Sequence, residues 1–75
     1  MKVLGIQQDQ VVFVDNEDYE RCKTHLWIPN HGCVLRHEAG KVVYLCDFIL
    51  GCPAEYTDGD EFNNTKSNLR KRLML

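Results

Sequence analysis

The chain has 75 residues, four cysteines, three histidines and a formal net charge of −2. That length makes one small domain over residues 1–75, burying only about 60% of the surface its unfolded chain exposes, so a staple beyond the core is expected. The charge excludes the basic excess usual in duplex binders, and the apolar runs are too short to cross a bilayer. No export signal is read at the start, so the expected setting is reducing cytosol, where thiols bind metal more often than they pair.

In chain order, Lys2 to Gln7 and Val11 to Val14 are apolar runs separated by Gln8-Asp9-Gln10 and predict a short β-hairpin. Asp15-Asn16 offers a helix N-cap, with Glu17 and Asp18 favourably placed in the first turn. The helix is expected from Glu17 to His25, with Tyr19, Cys22 and Leu26 on one stripe and His25 one turn beyond Cys22. Pro29 pushes Ile28 out of helical geometry, so the helix stops before it.

The stretch Gly32 to Cys46 organises the middle of the chain. Two apolar-rich runs flank Glu38-Ala39-Gly40-Lys41, a turn whose glycine supplies positive φ. Pairing His37 with Val42 sets Leu35 opposite Tyr44 and Cys33 opposite Cys46. Opposed Cβ atoms lie about 4.5–5.5 Å apart, so a plain hairpin puts two thiols side by side. Such a pair is half of a tetrahedral zinc site or one disulfide.

Asp47 to Gly51 predicts a helical turn closed by Gly51 and Pro53, and Asp58-Gly59 marks a further turn. Glu61 to Leu73 is expected as a second helix, with Phe62, Leu69 and Leu73 near one face. The architecture expected is α+β: hairpin, helix, hairpin, loop, helix. Two acidic clusters stand out, Asp15, Glu17, Asp18, Glu20 and Glu55, Asp58, Asp60, Glu61; the basic residues Lys66, Arg70, Lys71 and Arg72 gather near the end.

This order of residues resembles the small HNH homing-endonuclease-like proteins that phages encode. Val14-Asp15-Asn16-Glu17-Asp18-Tyr19 and Trp27 are similar to that family's acidic helix start and following tryptophan. Gly32 to Arg36 resembles its Gly-Tyr-Ala-x-Arg strand, and Tyr44 to Gly51 its Leu-His-Arg-x-Ile-Leu-Gly tract. Glu55 to Asp60 and Phe62 to Arg70 resemble its ββα-metal core, with Asn64 and Ser67-Asn68-Leu69-Arg70 the most specific part. The resemblance implies an HNH-like fold. In the family the core begins Asp-His, the histidine being the general base and the aspartate a metal ligand. Here those positions are Glu55 and Tyr56, and a phenol with an ordinary pKa of about 10 is a poor base at neutral pH. No catalytic residue is therefore assigned, and the chain is expected not to be an enzyme.

By the same alignment, Cys22 and His25 replace large apolar or aromatic helix residues, Cys33 replaces the strand tyrosine and Cys46 the histidine of the tract. Together Cys22, His25, Cys33 and Cys46 make a Cys₃His set, a usual composition for structural zinc. A closed four-ligand site stabilises and does not catalyse, and metal binding of this kind supplies on the order of 10 kcal/mol to folding. Cys52 is an alternative to Cys46, and His37 to His25 in another register; His31 belongs to a solvated loop. The competing reading takes each cysteine as a small buried hydrophobe and His25 as a satisfied histidine.

A degenerate HNH frame with acidic patches and zinc resembles small zinc-binding anti-CRISPR proteins. The resemblance implies a phage-type inhibitor in the bacterial host cytoplasm, whose partner is a CRISPR effector nuclease, with nucleic acid bound weakly or not at all and no membrane role. Acidic patches complement the basic channels of such nucleases. Two alternatives stay open: a metal-dependent DNA endonuclease using Glu55, Asn64 and Asn68, and a DNA-binding accessory domain using Lys66, Arg70, Lys71 and Arg72.

Overall fold

The structure is a computed structural model that describes residues 1–73. The chain has an α+β fold. In order its elements are β1 (Lys2–Gly5), β2 (Val11–Val14), α1 (Asn16–Cys22), β3 (Ile28–Asn30), β4 (Cys33–Glu38), β5 (Lys41–Tyr44), α2 (Leu45–Leu50), β6 (Ala54–Tyr56), β7 (Asn63–Asn64), a 3₁₀ turn (Lys66–Asn68) and β8 (Leu69–Lys71). They form a sheet β1-β2-β7, a sheet β3-β4-β5 and a ribbon β6-β8. Among the described residues no helix is long and apolar enough to cross a membrane.

The first hairpin forms as expected, with Leu4 opposite Val12. Alternation puts Val12 and Val14 in the core and leaves Val11 and Phe13 outside. Strand β7 then adds beside β2 in parallel, Val14 beside Asn64. The central hairpin takes the expected register, Leu35 opposite Tyr44 and His37 opposite Val42. Its turn holds Ala39 at φ 50° and Gly40 at φ 79°, the paired left-handed conformation that matches the twist of the strands. A second two-residue turn, His31 at φ 46° and Gly32 at φ 83°, joins β3 to β4.

The expected rung between Cys33 and Cys46 is not part of the ladder. Strand β5 ends at Tyr44 and α2 begins at Leu45, so Cys46 lies on a helix and Cys33 pairs with Asn30 on β3. Helix α2 closes as expected at Gly51, whose φ of 81° lets its N–H reach Asp47 O at 2.8 Å.

The expected C-terminal helix over Glu61–Leu73 does not form. Residues 63–71 are two short strands and a 3₁₀ turn. Short polar side chains take the backbone's partners there: Asn63 Oδ1 accepts from the Thr65 N–H at 3.3 Å, and Asn64 Nδ2 donates to Glu61 O at 2.9 Å. Such local bonds compete with the helical ladder. Strand β8 instead pairs with β6, setting Arg70 opposite Glu55.

The core gathers Leu4, Val12, Val14, Trp27, Val34, Leu45, Ile49, Ala54 and Leu69 with Cys22 and Cys46. Trp27 is 1% exposed and its indole N–H donates to Cys22 O at 2.8 Å, closing the end of α1 over the core.

Candidate functional site

The residues aligned with an HNH core do come together. Glu55 and Tyr56 lie on β6, Asn64 on β7 and Asn68 in the 3₁₀ turn. Of these four, only Tyr56 and Asn64 bond directly to each other, and the polar atoms of the others are taken by further residues. The Tyr56 phenol donates to Asn64 Oδ1 at 2.8 Å, while Asn64 Nδ2 holds Glu61 O. Asn68 Oδ1 accepts from Thr57 Oγ1 at 2.7 Å, and its Nδ2 donates to Asn63 O at 2.9 Å. Both asparagines are buried, so these bonds replace water and lock the segment after β6 onto β7.

Burial, followed by the nearby Cys46 and Cys33, pushes the Tyr56 phenol well above its ordinary value. At neutral pH Tyr56 holds its proton and acts as a donor. Glu55 Oε2 accepts two bonds from Arg70, at 2.9 and 2.7 Å, across the β6-β8 ribbon. Asp58 Oδ1 takes the Asp60 N–H, which lowers the Asp58 pKa, and Asp60 Oδ1 takes the Phe62 N–H. These carboxylates build the turn that carries them.

The charge clusters read from the sequence change character in three dimensions. Asp18 is 1% exposed, with Arg21 at 2.8 Å and Lys66 at 3.3 Å from its Oδ1. Glu17 also meets Lys66, and Glu20 meets Lys23. The first acidic cluster is thus largely neutralised within the fold. In the second, Asp58 and Asp60 are exposed and, among the described residues, meet no cation. Of the four basic residues near the end, Lys66 and Arg70 are paired, leaving Lys71 and Arg72 exposed without an acidic partner among the described residues.

The four expected zinc ligands are not drawn to one point. Among the described residues no group of three or more His, Cys, Asp or Glu side chains is arranged to hold a metal ion. Cys22 is fully buried in the core beneath α1. His25 stands edge-on to Trp27 and Phe48, with ring centres 6.0 and 5.3 Å away. Cys33 and Cys46 line a different place, a pocket of about 350 Å³ shared with Tyr56, Tyr44 and Asp47. The alternative Cys52 lines a separate hollow with Val43, Phe48 and Pro53, and His37 is exposed near the hairpin turn. The residues present do not fit a Cys₃His zinc site in this conformation. The physical reason lies at α1, which ends at Cys22: that thiol is buried in the core and His25, beyond the helix, packs on Trp27 and Phe48, so neither lines the pocket of Cys33 and Cys46.

The contacts of two arginines were not foreseen from the sequence. Arg21 ties α1 to α2 through Phe48 O at 3.1 Å and Ile49 O at 2.8 Å, besides its bond to Asp18. Its i+3 spacing from Asp18 was a visible signal. Arg36 lies over the rings of Trp27 and Phe48, at 5.7 and 5.8 Å from their centres. No local pattern marks that contact, because the three residues come from separate elements.

No family model, no curated protein and no solved structure matches this chain.

Proposed function

We propose that the chain is a non-catalytic binding module of phage type that docks on a host nuclease and blocks it, with a CRISPR effector nuclease as the target in the bacterial cytoplasm. The observation that carries the non-catalytic part is the bond from the Tyr56 phenol to Asn64 Oδ1 at 2.8 Å. It joins a proton-holding side chain at the general-base position to a residue that the endonuclease alternative needs as a metal ligand. Neither is free for water activation or for a cation. Support for a basic protein partner comes from the loop over 58–60, whose exposed Asp58 and Asp60 are not neutralised by cations among the described residues. Exposed carboxylates of this kind steer and orient encounter with a basic channel.

The test is a DNA cleavage assay on purified CRISPR effector nucleases with the untagged protein added at increasing ratio. Inhibition that weakens on Asp58→Asn with Asp60→Asn, which remove the charge and keep an Oδ1 acceptor for the turn, is the expected result. Unchanged cleavage across the effectors tried would remove the inhibitor reading. Plasmid nicking by the chain itself with Mg²⁺ or Mn²⁺, abolished by Glu55→Ala, would replace it with the endonuclease. Direct duplex binding that falls steeply with salt and depends on Lys71 and Arg72 would replace it with the DNA-binding domain.

A further inference from the structure

We propose that Cys33 and Cys46 are a redox modification site, closing to a reversible disulfide across their shared pocket when the protein meets a hydroperoxide. The inference stands on placement and is independent of the inhibitor reading. Cys33 and Cys46 line one pocket, while Cys52 lines another and Cys22 is buried in the core. Cys33 is half-buried at the start of β4, and Cys46 is 7% exposed at the start of α2. The Tyr56 side chain lines the same pocket.

The backbone places both residues at the open end of the central hairpin, Cys33 at the start of β4 and Cys46 just after β5. Glu38 and Lys41 close the two-residue turn, so opposed positions alternate outward from a hydrogen-bonded pair. Leu35 with Tyr44 is then a non-hydrogen-bonded pair, and two positions further out are Cys33 and Cys46. Cα atoms at such positions lie about 4.5 Å apart in a continuing ladder, inside the span of about 4.4–6.8 Å that a disulfide tolerates. Helix α2 turns the chain after Tyr44, so here the thiols share a pocket wall and not a rung, and closure needs a local adjustment at Leu45.

The chemistry balances with the peroxide as oxidant. The Cys33 thiolate sulfur attacks one peroxide oxygen, the O–O bond breaks, and the departing hydroxide takes a proton to become water. Cys33 is left as a sulfenic acid. The Cys46 sulfur then attacks the Cys33 sulfur, the S–O bond breaks, and the proton from Cys46 leaves with the hydroxide as a second water. Two thiols are oxidised by two electrons, and one peroxide is reduced to two waters. Asp47 Oδ1, 3.5 Å from Cys46 Sγ, is placed to accept the thiol proton.

The test uses the reduced full chain and one equivalent of hydrogen peroxide, followed by alkylation and peptide mapping. Trypsin cuts between the two cysteines at Arg36 and Lys41, and cleavage before Asp47 separates Cys46 from Cys52. A Cys33–Cys46 cross-linked peptide reversed by dithiothreitol, with Cys22 and Cys52 still alkylated, is expected. Cys52→Ser should keep the cross-link, and Cys46→Ser should leave Cys33 labelled by a sulfenic-acid probe. A cross-link to Cys52, a sulfinic Cys33 without a cross-link, or an unreacted Cys33 in the wild-type chain each overturns the site. The wild-type map decides even if Cys46→Ser fails to fold.

Discussion

Asp15 Oδ2 accepts the backbone N–H of Lys66 at 2.9 Å, joining residues 51 positions apart. Asp15 is the N-cap of α1 by backbone position, yet its side chain makes no capping bond there. Its carboxylate instead fixes the entry to the 3₁₀ turn over Lys66–Asn68. Asp15→Ala should therefore cost about 1–2 kcal/mol, the usual size for a lost charged acceptor to a part-buried N–H. Asp15→Asn should recover part of it. Urea unfolding checks this, and amide exchange at Lys66 should quicken in the alanine variant while the first turn of α1 changes less.

Arg21 should matter more than its exposed position suggests. Its guanidinium bonds Asp18, Phe48 O and Ile49 O, linking both helices to a buried carboxylate. Arg21→Ala should destabilise by about 2 kcal/mol, leaving Asp18 with one remaining cation. Arg21→Lys should restore little, since an ammonium cannot span the same three acceptors. Thermal melts of the two variants distinguish the cases; equal stability of Arg21→Lys and wild type would contradict the geometry.

Alkali should unfold the protein through its buried thiols. Burial pushes Cys22 and Cys46 from 9.0 up to about 11. Above pH 9 the unfolded chain releases these protons while the folded chain keeps them, so unfolding is favoured as pH rises. Stability should be unaffected by these groups below about pH 9 and should fall between about 9 and 11. Urea midpoints across that range measure it, and Cys22→Ala should flatten the slope even if it lowers the starting stability.

Chelation should leave the fold unchanged. With no three ligands converging among the described residues, EDTA is expected not to shift the melting temperature. A fall with EDTA, restored by zinc and absent in Cys33→Ser, would mean that α1 and the hairpin rearrange to gather the Cys₃His set.

Two turn residues are open to improvement. Ala39 at φ 50° and His31 at φ 46° occupy left-handed backbone that disfavours most side chains. Asn tolerates that region better, so Ala39→Asn and His31→Asn should each stabilise by about 0.5–1 kcal/mol. Additive gains in urea midpoint for the double variant are expected, because the turns lie at opposite ends of β4.

The local signals in the chain settled the hairpins, the start of the first helix and the glycine-closed helical turn, while that first helix ends at Cys22 and not at the expected His25. Gly40 and Gly51 mark where positive φ is needed, and the alternation of Val11 to Val14 assigns inside and outside without reference to anything distant. They also supplied the register that sets Leu35 against Tyr44. What they did not decide was the end of the chain, where Asn63, Asn64 and Asn68 choose turn bonds over a helix because β6 waits to pair with β8. Nor did they decide which thiols meet. A count of residues along a ladder places Cys46 opposite Cys33, but the onset of α2 is a packing choice that buries Leu45 and Ile49 against Trp27 and Val34. Buried area gained from distant residues outweighs one further rung, so the pocket belongs to the tertiary structure alone.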